Sequence, residues 1–210
     1  FGDYEPEPEE GTAVLDEPLL KMLRDLRRKR AQALGIPPYV IFQDPSLEAM
    51  ATTYPITIEE LKNIPGVGEG KAKRYGEEFC ALIKRHCEEN EIDRPEDIRI
   101  RTVANKSKLK VAIINAIDRK VALDDLAISK GVEFEELLDD IESIVYSGTK
   151  LNIDYFLEEI LDEEALNDIY DYFKNSDTDN IDVAVEELRG EYSEEEIRLV
   201  RVKFISEMGN

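Results

Sequence analysis

The chain has one histidine and two cysteines in 210 residues, and that scarcity removes whole classes of chemistry. Zinc centres need His and Cys at set spacings. His86, Cys80 and Cys87 fall on one expected helix at spacings that fit no zinc pattern, so they read as core or boundary residues. The two thiols lie about two helical turns apart, too far to bridge easily, and their sparing use indicates a reducing, intracellular setting. No apolar run approaches the ~18–20 residues of a membrane span. The first ten residues, FGDYEPEPEE, are acidic, so they read as a solvated tail and not as a signal peptide. Positive charge is missing from one half of the chain. Residues 121–210 hold seven Lys and Arg against twenty-six Asp and Glu, and carry −19 of a total −21. Residues 1–15 carry −5, residues 16–90 sum to zero and residues 91–120 carry +3. Repulsion keeps nucleic acid away from the C-terminal part, so any such contact is expected on the neutral block or the basic segment that follows it. The asymmetry also points to different partners for the two halves.

Nucleotide-binding loops are absent as well. A P-loop needs Gly, four residues, then Gly-Lys-Ser/Thr; here Pro65 takes the first position and Ala72 stands where the hydroxyl belongs. Lys71 occupies the third glycine position of the dinucleotide pattern, and no strand is expected before it. DTDNID (177–182) starts like a calcium loop but lacks the glycine at position six and the acid at position twelve, where Leu188 stands.

What is present is IPGVGEGKAKRYG, residues 64–76. Gly66, Gly68 and Gly70 permit a sharp turn with bare N–H groups. A helix then opens with Lys71, Lys73 and Arg74, and a short one, Ile58 to Asn63, precedes the turn. Exposed amides at a helix N-terminus beside lysines suit a phosphate, and a helix–turn–helix of this kind grips a nucleic-acid backbone without reading bases. A tight helix–helix corner needs the same glycines, and the segment alone fits both readings.

The periodicity predicts a helix from Glu17 to Leu34, ended by Gly35-Ile36-Pro37-Pro38. Its wet face carries Lys21, Arg24 and Arg28 at i, i+3 and i+7, a phosphate ridge or simply a solvated surface. IPPYVIFQ (36–43) reads as an extended or one-turn connector in which Tyr39 either stacks on a base of a single strand or is half buried. Asp44 is expected to cap a helix that ends near Thr53, and Thr57 with Glu60 to form a capping box. The helix from Glu69 is expected to reach Cys80, bend at Gly76 and continue to Glu89, with Ala72, Tyr75, Phe79, Leu82, Ile83 and His86 inward. Residues 91–108 lose periodicity and hold Pro95, Arg94, Arg99, Arg101, Lys106 and Lys108; they read as a basic linker. Helical pattern resumes at Leu109. Residues 123–148 follow a helix-turn-helix pattern with Gly131 at the turn. Its second helix carries Glu133, Glu135, Glu136, Asp139, Asp140 and Glu142 and no Lys or Arg, so it is not expected to enter a groove. A short β wing is expected near 148–154, then helices near 156–174, 181–188 and 194–208, the last opened by a Ser193–Glu196 capping box.

LLKMLRDLRRKRA (19–31), IPPYVIFQDPSLEAMATTYPIT (36–57), LKNIPGVGEGKAKRYGEEF (61–79) and CALIKRH (80–86) together resemble an HRDC domain, the accessory domain shared by RecQ helicases and RNase D. VANKSKLKVAIINAIDRKVALDDLAISKG (103–131) and the helices after it look like the helix-turn-helix extension that follows HRDC in a group of bacterial RecQ proteins. The resemblance implies an all-α chain: an acidic tail (1–15), a five-helix HRDC bundle (16–90), a basic linker (91–108) and an acidic helix-turn-helix domain (109–210). It implies a parent enzyme that unwinds DNA with ATP and Mg and carries zinc in another domain. This stretch has no Walker Lys with Ser/Thr, no DExH box and no cysteine-rich module, so no catalytic centre or cofactor is expected in it. Carried over from the family, weak contacts with single-stranded or junction DNA fall on Tyr39, Gly66, Val67, Gly68, Lys71, Lys73 and Arg74, supported by Lys21, Arg24 and Arg28. The expected role is to tune DNA engagement in recombination and repair, in the bacterial cytoplasm and at the nucleoid. As an alternative, the acidic domain docks on the helicase core of the same polypeptide or on a repair or replication protein; the tail of an RNase D-like ribonuclease is a further one.

Overall fold

The computed structural model describes residues 14–94 and 104–209, with the side chains of 104–107 left aside. Among the described residues there are twelve helices and no strand. Arg99 and Arg101 of the expected linker, and the acidic tail through residue 13, lie outside them.

The first five helices are α1 (Glu17–Leu34), α2 (Pro38–Ile41), α3 (Asp44–Thr53), α4 (Ile58–Leu61) and α5 (Glu69–Glu89). Asp16 starts α1: its carboxylate accepts from the Leu19 amide at 2.9 Å, which satisfies one of the donors that every helix start leaves open. Pro38 opens α2, a single turn, at the first position, where its fixed φ suits a helix start and its missing N–H costs no helical bond. Asp44 does not cap α3. Gln43 holds the cap position without a side-chain bond, and Asp44 turns away to Arg27 at 2.8 Å. Thr57 caps α4 through the Glu60 amide, but Glu60 returns its carboxylate to the Ile56 amide, one residue earlier than a capping box would. The helix α5 runs unbroken through Gly76, whose missing side chain admits Leu61 and Ile58 of α4. These elements close around Phe42, which meets the Phe79 and Tyr75 rings edge-on at 4.9 and 6.2 Å.

The second core belongs to α6 (Ala104–Asp118), α7 (Leu123–Lys130), α8 (Phe134–Tyr146), α9 (Asp154–Ile160), α10 (Glu163–Asn175), α11 (Ile181–Glu187) and α12 (Glu194–Gly209). The helix α6 starts five residues before the resumption expected at Leu109. Gly131, at φ +66°, makes the left-handed turn between α7 and α8. Residues 149–153 form no wing. They run as irregular chain, pinned where Ser206 exchanges hydrogen bonds with the Leu151 backbone at 2.7 and 2.9 Å. The helix expected over 156–174 is two, divided where Asp162 caps α10 through the Ala165 amide. Ser193 and Glu196 do form the reciprocal capping box of α12. That helix is the axle of the second half. Leu199, Val200, Arg201, Val202, Phe204, Ile205 and Ser206 are all buried, so it is covered on every side, by α8, α9, α10 and α11 and by α2 from the first half.

Candidate nucleic-acid interface and the domain junction

The Gly-Val-Gly turn is where the two halves meet. The Gly68 amide donates to the Ser147 carbonyl at 2.8 Å. A Cβ on Gly68 would lie 2.4 Å from that oxygen, and one on Gly70 would lie 2.6 Å from the Gly148 carbonyl. The carbonyl end of α8 is therefore seated on the amide end of α5, partial negative charge against partial positive charge. Where the phosphate reading of this turn puts an anion, the chain's own backbone oxygen stands, as in the corner reading.

Tyr39 and Val67 are 4% and 3% exposed. Tyr39 joins the second core, its ring 6.4 Å from Phe204 and its hydroxyl donating to the Phe173 carbonyl at 2.8 Å. Burial and the nearby Asp179 raise its pKa far above the usual phenol value. In this arrangement neither Tyr39 nor the Gly68 amide is open to a nucleic acid. Lys71 is 1% exposed, and its ammonium has no hydrogen-bond acceptor. It lies over the Tyr146 ring at 5.7 Å, and Arg201 lies over the same ring at the same distance. Desolvation pushes the Lys71 amine down to about 7; Asp179 pulls it up and Arg74 pushes it further down. Arg74 donates to the Gly209 carbonyl at the end of α12. Lys73 is exposed but pairs with Glu69 at 2.8 Å, in the first turn where a phosphate would sit. Gly66 is exposed and holds φ +80° over Ser46.

Lys21, Arg24 and Arg28 behave differently. All three are exposed, and no ion pair of theirs occurs among the described residues. Their neighbours Arg27 and Arg30 are used internally: Arg27 bonds the Phe42 carbonyl and Asp44, each at 2.8 Å, and Arg30 meets Glu78 at 3.2 Å. Arg24 and Arg28 border a groove of about 580 Å3 between α1 and the end of α10, where Lys174 and Asn175 form the far wall and Asp177 contributes one acid. The i, i+3, i+7 spacing thus picked out three exposed cations without an ion pair among the described residues, a property that Lys29, Lys84 and Arg85 share. Nothing in the sequence signalled Lys174 as their neighbour, because it lies 146 residues after Arg28.

The acidic helix α8 is divided in two. Glu142 and Asp139 take Arg198 at 2.7 and 2.5 Å, and Glu142 also takes Arg201 at 3.0 Å. Glu133, Glu135 and Glu136 face solvent. In the calcium-like segment, the Asp179 carboxylate accepts from Tyr146 and Gln43 at 2.8 and 2.9 Å, a further tie across the junction.

Comparison with known proteins agrees with the two-part architecture. The HRDC domain family matches residues 16–83, and the family described as RecQ-1-like, helix-turn-helix domain matches residues 107–157. The ATP-dependent DNA helicase RecQ of Haemophilus influenzae is 42% identical over 77 residues, 37% of this chain and 12% of that protein. The RecQ of Bacillus subtilis is 37% identical over 71 residues, 34% of this chain and 12% of its own length. The ATP-dependent DNA helicase UvrD2 of Mycobacterium bovis is 36% identical over 72 residues, 34% of this chain and 10% of its own. The chain thus spans about a tenth of the length of these relatives. An HRDC-sized match is shared with a helicase of another name, so the helix-turn-helix match is what singles out RecQ. In chain order, residues 16–83 are thus similar to an HRDC domain and residues 107–157 to a RecQ-1-like helix-turn-helix domain.

Proposed function

We propose that this region is an auxiliary nucleic-acid-binding part of an ATP-dependent RecQ-type DNA helicase, and that it holds single-stranded or junction DNA by the backbone along α1. The observation that carries this reading is the row Lys21, Arg24 and Arg28, exposed and without ion pairs among the described residues, in a chain of net charge −21. A row of guanidinium and ammonium groups beside a groove suits phosphates and carries no base selectivity. Three phosphate contacts on a single strand give a log–log salt slope of about −2, so binding is weak and salt-sensitive. Titrating fluorescent oligo-dT with the full chain at low and moderate salt tests it. Changing Lys21, Arg24 and Arg28 together to Ala should lower affinity at least tenfold at low salt and flatten the slope to near zero. Absence of binding at low salt, or an unchanged affinity in the triple variant, would sink the proposal.

A second reading is supported by the solvent-facing acids of the other half. Asp124, Asp125, Glu133, Glu135 and Glu136 are exposed on α7 and α8, and they suit a basic protein surface such as the helicase core. Charge reversal at Glu133, Glu135 and Glu136 should weaken that association and leave DNA affinity the same or higher.

A further inference from the structure

The junction has the features of a contact that can be exchanged for another. The α5 amino end is filled by the Ser147 carbonyl, a neutral oxygen where a phosphate oxygen would gain more from the helix dipole and from nearby cations. Lys71, in the first turn of α5, is buried with its ammonium unpaired. Arg74 is spent on a backbone carbonyl, that of Gly209. Tyr39 closes the other side, its ring in the second core beside Phe204 and its hydroxyl bonded to the Phe173 carbonyl. The Gly68 amide and Arg74 face backbone oxygens, Lys71 faces the Tyr146 ring and Lys73 pairs with Glu69 of its own helix, so none of them bonds a carboxylate across the junction.

We propose that the helix-turn-helix domain is a competitive cover for a second phosphate-backbone site at the start of α5, and that nucleic acid and the α8 end exchange on the Gly68 amide. In the closed form the Ser147 carbonyl occupies the amide end and the α1 row is the accessible contact. In the open form Lys71, Arg74 and the Gly68 amide face a DNA phosphate, and the domain carrying −19 has left its place beside them. Lys71 favours exchange, because a buried unpaired ammonium makes closure costly and finds an acceptor only on opening. The groups facing it in the closed form are Tyr146, Arg201, Arg74 and the more distant Asp179.

Gly148 provides the test. At φ +108°, a Cβ there would lie 2.6 Å from the Lys71 backbone nitrogen, so Gly148→Val wedges the junction from the helix-turn-helix side and changes no charge. Tyr39→Phe is a milder opener that keeps the ring and removes one bond. In the full chain, acylation of Lys71 read by mass spectrometry reports opening, and anisotropy of oligo-dT reports binding. Lys71 should react faster in both variants, and affinity should rise about threefold or more in Gly148→Val and less in Tyr39→Phe. About two more phosphate contacts should steepen the salt slope by roughly 1.4. Adding Lys71→Ala and Arg74→Ala should abolish the gain. A Lys71 that stays unreactive in both variants, or one that reacts with no gain in affinity, overturns the proposal. The α1 triple variant separates this from the preceding reading: it lowers affinity equally with and without the wedge, and its failure leaves the exchange standing.

Discussion

Asp16 carries three bonds on one carboxylate: the Leu19 amide, the Tyr54 hydroxyl and the His86 ring, each at 2.9 Å. Burial alone would raise its pKa, but these bonds outweigh burial and hold it below the ordinary 3.8. With the folded value depressed, its contribution is complete above 3.8 and is lost as pH falls through the lower folded value. Asp16→Ala should cost about 1–2 kcal/mol for the cap, and about 1–3 kcal/mol more for the partners left unsatisfied, read by urea denaturation at neutral pH. Lys71 behaves in the opposite sense. Its folded value is about 7 against an ordinary 10.5, so the opened form binds more protons between those limits. Closure should therefore strengthen as pH rises from about 7 toward 10.5, and be weakest and flat below about 7. Lys71→Met should stabilise the closed chain by about 1–3 kcal/mol near neutral pH and flatten this dependence, measured as Tm against pH. The burial of Lys71 was not legible in the sequence, and the role of Asp16 was legible only in part. Asp16 stands before a Pro-containing helix start, which is a signal for the cap, but its partners lie 38 and 70 residues away.

At the scale of elements, the α8–α12 contact is held by charges of unequal weight. Glu142 is largely buried and bonds both Arg198 and Arg201, the latter only 8% exposed. Asp139 is open to water. Glu142→Ala strands a buried guanidinium and should cost about 3–5 kcal/mol, whereas Asp139→Ala should cost at most about 1 kcal/mol; thermal unfolding of the two variants side by side checks the contrast. The acids of α8 were visible in the sequence, and the absence of Lys and Arg on that helix argued against groove entry. That two of them are the sockets for α12 was not visible, because the arginines come 56 and 59 residues later. The helix expected over 156–174 breaks at a signal present in the sequence: Asp162 followed by Glu163, Glu164 and Ala165 is a cap pattern.

Across the whole molecule, charge and topology act together. The acidic half covers the start of α5, while the α1 row lies on the other half in the open. Because part of the repulsion from −19 is screened within ~10 Å at 0.1 M salt, the net salt slope of the wild-type chain should be shallower than the −2 expected from three contacts. Reversing Glu133, Glu135 and Glu136 to Lys should steepen it, measured by anisotropy across a salt series.

By itself the sequence determined most of the helices, the Thr57 and Ser193 caps, the all-α class and the HRDC and helix-turn-helix resemblance, because these are set by neighbours within a few residues and by local spacing. Only the tertiary structure decided that the Gly-Val-Gly turn is occupied. The atoms that fill it are the Ser147 and Gly148 backbone, about eighty residues away. A backbone carbonyl has the same chemistry in every residue, so no side-chain pattern could announce it. The charge of Lys71 could be read from its letter, but its burial follows from which surface the second domain covers, and that is a property of the packed chain.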